Sequence, residues 1–148
     1  MEIDHIDINI AFLNPPLKET ICLQLLELRK LFEQVFPELI GMEDAYLLLN
    51  KALYGLKQAL REWFFIVKQF FNELNLKPSN SDLNLFIGEG VSILLFVDDM
   101  LIVGARKQVD IIKFKILKQW DGKDLGPAEV FVGFQIERDR ANRTLKIH

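Results

Sequence analysis

The chain has 148 residues, half of them apolar, with a formal net charge of −3 at pH 7 and a single cysteine. That size and apolar content suit one domain with a sizeable core, and a lone cysteine excludes an internal disulfide, in keeping with an intracellular compartment. No basic region precedes an apolar stretch at the start, and Asp98 and Asp99 divide the one long apolar run, so neither a secretion signal nor a membrane span is expected.

Ile3 to Leu13 alternates imperfectly and reads as a strand ended by Asn14-Pro15-Pro16. Thr20 to Leu25 reads as a short strand able to pair with Tyr46 to Leu49 as a side hairpin, and Glu27 to Phe36 is compatible with a helix up to Pro37. Gly55 punctuates the chain before a helix from about Gln58 to Leu74, where Leu60, Trp63, Phe64, Val67, Phe70, Phe71 and Leu74 follow helical spacing and predict packing against a sheet. Lys77 to Asp82 is a turn region, and Leu83 to Ile87 a short strand. A second helix is expected from about Lys107 to Trp120, with Val109, Ile112, Ile116 and Trp120 as its buried stripe and lysines between them. Asp121-Gly122 and Leu125-Gly126-Pro127 read as breaks. Val130 to Ile136 then reads as a strand, with Thr144 to Ile147 as its returning partner.

Charge is uneven along the chain. Residues 1–50 hold three basic and nine acidic side chains, net −6, and residues 51–148 hold fifteen and twelve, net +3. The cations Lys51, Lys57, Arg61 and Lys68, and those from Arg106 to Lys123, are placed to follow a phosphate backbone. By charge alone, two solvated helix faces explain them better.

The most informative stretch is Phe96-Val97-Asp98-Asp99. Two adjacent acids interrupt an apolar run from Val91 to Val103, which predicts a buried hairpin with carboxylates at its bend. Ionised carboxylates beside so much apolar surface are costly unless paired or bound to metal. A third acid, Asp7, lies in another apolar segment. The order strand, helix, strand, strand, helix, strand is the split βαβ pattern of ferredoxin-like domains, in which the middle hairpin lies beside the first strand. That fold rule brings Asp7 near Asp98 and Asp99. Three carboxylates so placed suit two divalent cations and phosphoryl transfer, with Mg²⁺, or Mn²⁺ in its place, expected from hard oxygen ligands. Taken singly, Asp98-Asp99 also reads as a plain acidic turn, and Asp4 and Asp7 as solvent-facing acids.

Five segments carry a family resemblance, in order and at suitable spacing. They are Asp7-Ile-Asn-Ile-Ala-Phe-Leu-Asn14, Lys51-Ala-Leu-Tyr-Gly-Leu-Lys-Gln-Ala59, Ser81-Asp82 with Leu85-Phe86-Ile87, Phe96-Val-Asp-Asp-Met-Leu-Ile-Val-Gly104, and Lys123-Asp-Leu-Gly126 with Phe131-Val-Gly133. Together they resemble the reverse transcriptase of copia-type long-terminal-repeat retrotransposons, and the Lys51–Ala59 stretch is the most specific of them.

The resemblance implies an α+β polymerase palm over residues 1–148, with a ferredoxin-like antiparallel sheet, helices on one face and small accessory hairpins. It implies Asp7, Asp98 and Asp99 as catalytic metal ligands for two Mg²⁺ ions. Phe12, Tyr54 and Gly55 become nucleotide-binding residues, with Phe12 under the incoming sugar. Phe131, Val132 and Gly133 become the hairpin that holds the primer end, and Lys123 a weaker candidate for protonating pyrophosphate. From the residues alone, Phe12 reads as core, Tyr54-Gly55 as a strand-to-helix turn, Phe131 to Gly133 as an ordinary strand and Lys123 as an exposed lysine.

The implied partners are an RNA or DNA template-primer duplex, deoxynucleoside triphosphates and the remaining segments of a retrotransposon polyprotein, in a cytoplasmic particle or the nucleus and with no membrane. Several positions depart from the family pattern: Asn9 stands for lysine, Pro15 for glycine, Leu60 for proline and Phe96 for tyrosine. Fingers would be expected before Asp7, and a thumb and ribonuclease H after His148. The chain alone is therefore expected to be a palm segment with little or no activity. The alternative reading is a non-catalytic relic or interaction module that keeps the palm shape.

Overall fold

The computed structural model describes residues 1–148 apart from 18, 25–28, 42–45 and 54. In chain order the described elements are β1 (Glu2–Ile8), β2 (Cys22–Gln24), α1 (Arg29–Val35), β3 (Tyr46–Leu48), α2 (Lys57–Glu73), β4 (Lys77–Pro78), β5 (Leu85–Gly88), β6 (Val91–Phe96), β7 (Asp99–Gly104), α3 (Arg106–Gln119), β8 (Gly122–Pro127), β9 (Val130–Phe131), β10 (Phe134–Asp139) and β11 (Thr144–Ile147). Short 3-10 turns cover Ala11–Leu13 and Pro37–Leu39.

Six strands form one antiparallel sheet in the order β4-β5-β6-β7-β1-β8. Four adjacent strands, β6-β7-β1-β8, with α2 and α3 as crossovers, take the β-α-β-β-α-β order, the last strand being β8 and not the expected Val130 to Ile136. Period-two alternation sends Ile6 and Ile8 of β1, Ile93 and Leu95 of β6, and Met100 and Ile102 of β7 to one face, where they are buried. Trp63, Val67 and Phe71 of α2 and Val109, Ile112 and Ile116 of α3 close on that same face, so both helices cover one side of the sheet. Trp120 joins this core and meets Trp63 edge-on at 5.1 Å between ring centroids. Phe12 packs against it in part, as a core reading expects.

The side hairpin forms as expected, β2 pairing with β3 from Cys22↔Leu48 to Gln24↔Tyr46. No residue of β2, α1 or β3 is buried.

Two expectations are corrected. Residues Gly122–Pro127 do not break the chain: they form β8, the edge strand that pairs with β1. Proline and glycine disguise it, because proline is tolerated on an edge and Gly126, at φ 75°, accompanies a register shift between His5 and Ile6. Nor is Val130 to Ile136 one strand. Val132 (φ 51°) and Gly133 (φ 84°) form a two-residue bend of the I′ pattern between β9 and β10, and β9, β10 and β11 make a separate small sheet.

Candidate active site

The acids gather where β1 meets the β6–β7 hairpin. In the antiparallel register Asp7 stands directly opposite Asp99, a relation that puts Cβ atoms about 4.5–5.5 Å apart on one face. Asp98 lies in the bend just before, and its carbonyl accepts a 2.8 Å hydrogen bond from the Ile8 amide, so the bend is docked onto the end of β1. Asp98 Oδ1 is buried, while Asp7 and Asp99 are half-buried on the sheet face away from the helices.

The bend is a two-residue loop, since Phe96 pairs with Asp99. Val97 alone of its two central residues has a positive φ, 55°, the II′ pattern that prefers glycine there. A β-branched residue in that region is strained, and such strain persists only where surroundings enforce it. Trp63 supplies part of the enforcement: its indole Nε1 donates a 2.6 Å hydrogen bond to the Val97 carbonyl. The helix α2 therefore fixes the bend that carries both acids.

Gly122 sets the other side. A Cβ at this position would lie 2.7 Å from the Asp7 carbonyl oxygen, so only glycine lets β8 approach β1 here. Next along β8, Lys123 stands across from Asp7 in register, and among the described residues no ion pair joins them. Asn9, where the family pattern has lysine, donates a 2.8 Å hydrogen bond to Asp121. Pro15 is buried, and the left-handed residue of this segment is Ile10 (φ 50°).

Asp4, three residues before Asp7, points to the opposite face. It is only 1% exposed and takes a bidentate pair of hydrogen bonds from Arg106 (2.8 and 2.9 Å) and one from Lys113 (2.6 Å). Lys113 also reaches Asp124 at 2.6 Å, tying α3 to β1 and β8. Burial pushes the Asp4 carboxyl up, but the hydrogen bonds from Arg106 and Lys113 outweigh it and hold the group below the ordinary aspartate range. Glu2 is held well below the ordinary glutamate range, first by its hydrogen bond from Arg140 and then by that from Arg106. The solvent-facing reading of Asp4 is thus wrong, and the solvated-face reading of the α3 cations fails at Lys113, which is buried.

The remaining predicted positions are spread more widely. Gly55 (φ 94°) lies in the turn leading into α2, which the Leu56 amide closes onto the Leu53 carbonyl. Tyr54 falls outside the described residues. Phe131 is buried rather than displayed, with its ring edge-on to His5 at 5.4 Å, and Val132 and Gly133 form the exposed tip. Sequence reasoning missed His5, whose Nε2 lies 2.6 Å from Asp99 Oδ1. The signal was available: His5 and Asp7 are two apart on a strand and share a face.

Among the described residues, no three His, Cys, Asp or Glu side chains form a ready-made metal cluster. Three carboxylates nevertheless end on two adjoining strands and their bend, a hard-oxygen donor set that suits Mg²⁺ or Mn²⁺. The residues present fit that class of ion.

The family model described as reverse transcriptase (RNA-dependent DNA polymerase) matches residues 1–148. The chain belongs to this family. This reverse transcriptase segment is 36% identical to the retrovirus-related Pol polyprotein from transposon TNT 1-94 of Nicotiana tabacum, over 98% of this chain and 11% of that protein. It is 30% identical to the transposon Ty1-NL2 Gag-Pol polyprotein of Saccharomyces cerevisiae, over 90% of this chain and 7% of that protein. It therefore spans about a tenth of the length of these curated relatives. The copia-type resemblance of the motifs holds. No solved structure matches the reverse transcriptase segment. Among its described residues, no helix is long and apolar enough to cross a membrane.

Proposed function

We propose that this chain is the catalytic palm of an RNA-directed DNA polymerase within a retrotransposon polyprotein, transferring deoxynucleotides to a primer 3′-hydroxyl on an RNA or DNA template. The observation that carries the reading is the register of Asp7 opposite Asp99, with the Asp98 bend bonded to the end of the same strand. Asp7, Asp98 and Asp99 would hold two Mg²⁺ ions. Bound there, the ions would activate the attacking hydroxyl and neutralise charge on the transferred phosphate.

The protein's own contribution is placement. The β1–β7 ladder fixes the spacing of two acids, and Trp63 holds the bend that presents the third. Phe12, in the turn directly after β1, would lie under the nucleotide sugar, with Tyr54 and Gly55 nearby. The hairpin bend at Val132 and Gly133, anchored by Phe131, would hold the primer end. The template-primer duplex would lie across the face opposite the helices.

Titration of Mn²⁺ into the folded chain, followed by electron paramagnetic resonance, tests the metal assignment. Asp98→Ala is expected to weaken binding at least about tenfold, as loss of a ligand or of its supporting shell does. Unchanged binding in that variant rejects the reading.

A second reading, a non-catalytic module that keeps the palm shape, is favoured by one observation. Leu60 and Phe65 on α2 and Phe96 beside the bend are half-exposed, and apolar surface of that kind promotes association. Primer extension on a poly-rA template separates the two. Residues 1–148 alone are expected to extend little or nothing, and robust synthesis that depends on Asp7 would refute the non-catalytic reading.

A further inference from the structure

We infer that His5 is a positioning residue for the acid site: its imidazole fixes the Asp99 carboxylate and links it to the hairpin that carries Val132 and Gly133. The inference rests on the reading of Asp99 as a metal-binding acid and adds a residue to that site.

The geometry follows from strand pairing. His5 is opposite Leu101 and Asp7 is opposite Asp99, so His5 and Asp99 are diagonal neighbours on one sheet face. Diagonal pairs lie about 7–8 Å apart at the backbone, within reach of a long side chain. His5 spans that gap, and its Nε2 meets Asp99 Oδ1 at 2.6 Å. An ionised carboxylate only accepts hydrogen bonds, so the imidazole donates this one. It engages one oxygen and leaves Oδ2 for a cation.

The ring is held on its other side as well. Phe131 of β9 meets it edge-on, at 5.4 Å and an interplanar angle of 76°. Across β1, the residue in register with His5 on β8 is Gly126, which offers no side chain to divert the imidazole. The His5 side chain is 13% exposed against 35% for Asp99, so the donor is the more enclosed partner and the carboxylate keeps its outward side open. A hydrogen bond from an enclosed group to a ligand's far oxygen is how outer contacts orient carboxylates toward metals. The stacking order Phe131, His5, Asp99 also means that a shift of the β9–β10 bend changes the seat of the imidazole.

Mn²⁺ binding to the whole chain reads this role without any need for polymerase activity. His5→Phe keeps a ring against Phe131 and removes the donor, and His5→Gln keeps a donor of similar reach. His5→Phe is expected to weaken Mn²⁺ binding about tenfold, at the low end of outer-contact losses, with His5→Gln recovering most of it. Phe131→Leu leaves the donor in place and tests the link to the hairpin separately, with a loss of about threefold expected from a looser ring. Far-ultraviolet circular dichroism checks that each variant folds; should His5→Phe unfold, Phe131→Leu and His5→Gln carry the test.

Wild-type affinity in both His5→Phe and Phe131→Leu, alongside a clear loss in Asp98→Ala, overturns the inference and leaves the proposed function standing. Equal losses in His5→Gln and His5→Phe overturn it too, because a donor would then not matter. Unchanged binding in Asp98→Ala rejects the metal site itself.

Discussion

Asp4 and Asp7 lie on the same strand, three residues apart and therefore on opposite faces. Asp4 is sealed beneath α3, where Arg106 and Lys113 account for both of its oxygens. Asp7 is half-buried on the open face, opposite another acid, with no side-chain hydrogen bond or ion pair among the described residues. One strand thus carries an acid whose charge is neutralised by the protein and an acid whose charge is left to be neutralised by something else. The first is a structural fastening. The second, with Asp98 and Asp99 beside it, is the acid that the proposed cation site would use.

The comparison breaks most sharply in stability. Asp4→Ala leaves the buried Lys113 with Asp124 alone and takes two bonds from the half-exposed Arg106. Removing one member of a buried pair costs about 3–5 kcal/mol, and the low end applies because Lys113 keeps a partner. Asp7→Asn removes a charge that faces another acid, so its change should stay within about 1 kcal/mol. Urea unfolding measures both, and similar losses would erase the distinction drawn between the two acids.

The pH dependence sharpens the same contrast. The Asp4 carboxyl is depressed in the folded chain, burial being outweighed by the bonds from Arg106 and Lys113. Its contribution is complete above the ordinary aspartate value of 3.8 and is lost as pH falls through the lower folded value. The stability gap between the wild type and Asp4→Asn should therefore be full near about pH 6 and close only in strong acid. A gap that narrows with rising pH over that range contradicts the ion-pair account.

Gly122→Ala is a smaller perturbation, aimed at the β1 backbone beside Asp7. The new Cβ would meet the Asp7 carbonyl at 2.7 Å, and overpacking of this kind costs about 1–3 kcal/mol. Because the clash is with the backbone that carries Asp7, Mn²⁺ binding should weaken together with stability. Loss of stability with intact binding would show that β8 yields and β1 does not.

These particulars explain what the sequence could and could not disclose. The acidic bend, both long helices and the β-α-β-β-α order up to the end of α3 were legible because each rests on a local period or a single interruption of it. The buried stripe from Val109 to Trp120 matches the observed core for the same reason. β8 was not legible: Gly122, Gly126 and Pro127 read locally as breaks, and only the neighbouring strand makes an edge strand of them. Asp4 was misread because its partners lie more than 100 residues away in Arg106 and Lys113, a relation no local pattern encodes. His5 was overlooked although its spacing from Asp7 was in plain view. What gives it meaning is the diagonal to Asp99, which appears only when the register of β1 against β7 is known.

The smallest expected effect concerns the bend itself. Val97 holds a φ of 55° at a loop position that suits glycine, and strain of that kind costs about 1–3 kcal/mol. Val97→Gly removes the strain, while the greater freedom of glycine in the unfolded chain takes back about 0.5–1 kcal/mol. The hydrogen bond from Trp63 survives because it goes to the backbone carbonyl. The net expectation is a stabilisation of about 0.5 kcal/mol, read as a small rise in the urea midpoint. Mn²⁺ affinity should move the other way, since a glycine bend lets Asp98 wander relative to Asp7. A destabilised Val97→Gly would mean that valine contributes more through packing than it loses through backbone strain. Higher stability with unchanged metal binding would mean that the ladder alone, without the strained bend, suffices to place the acids.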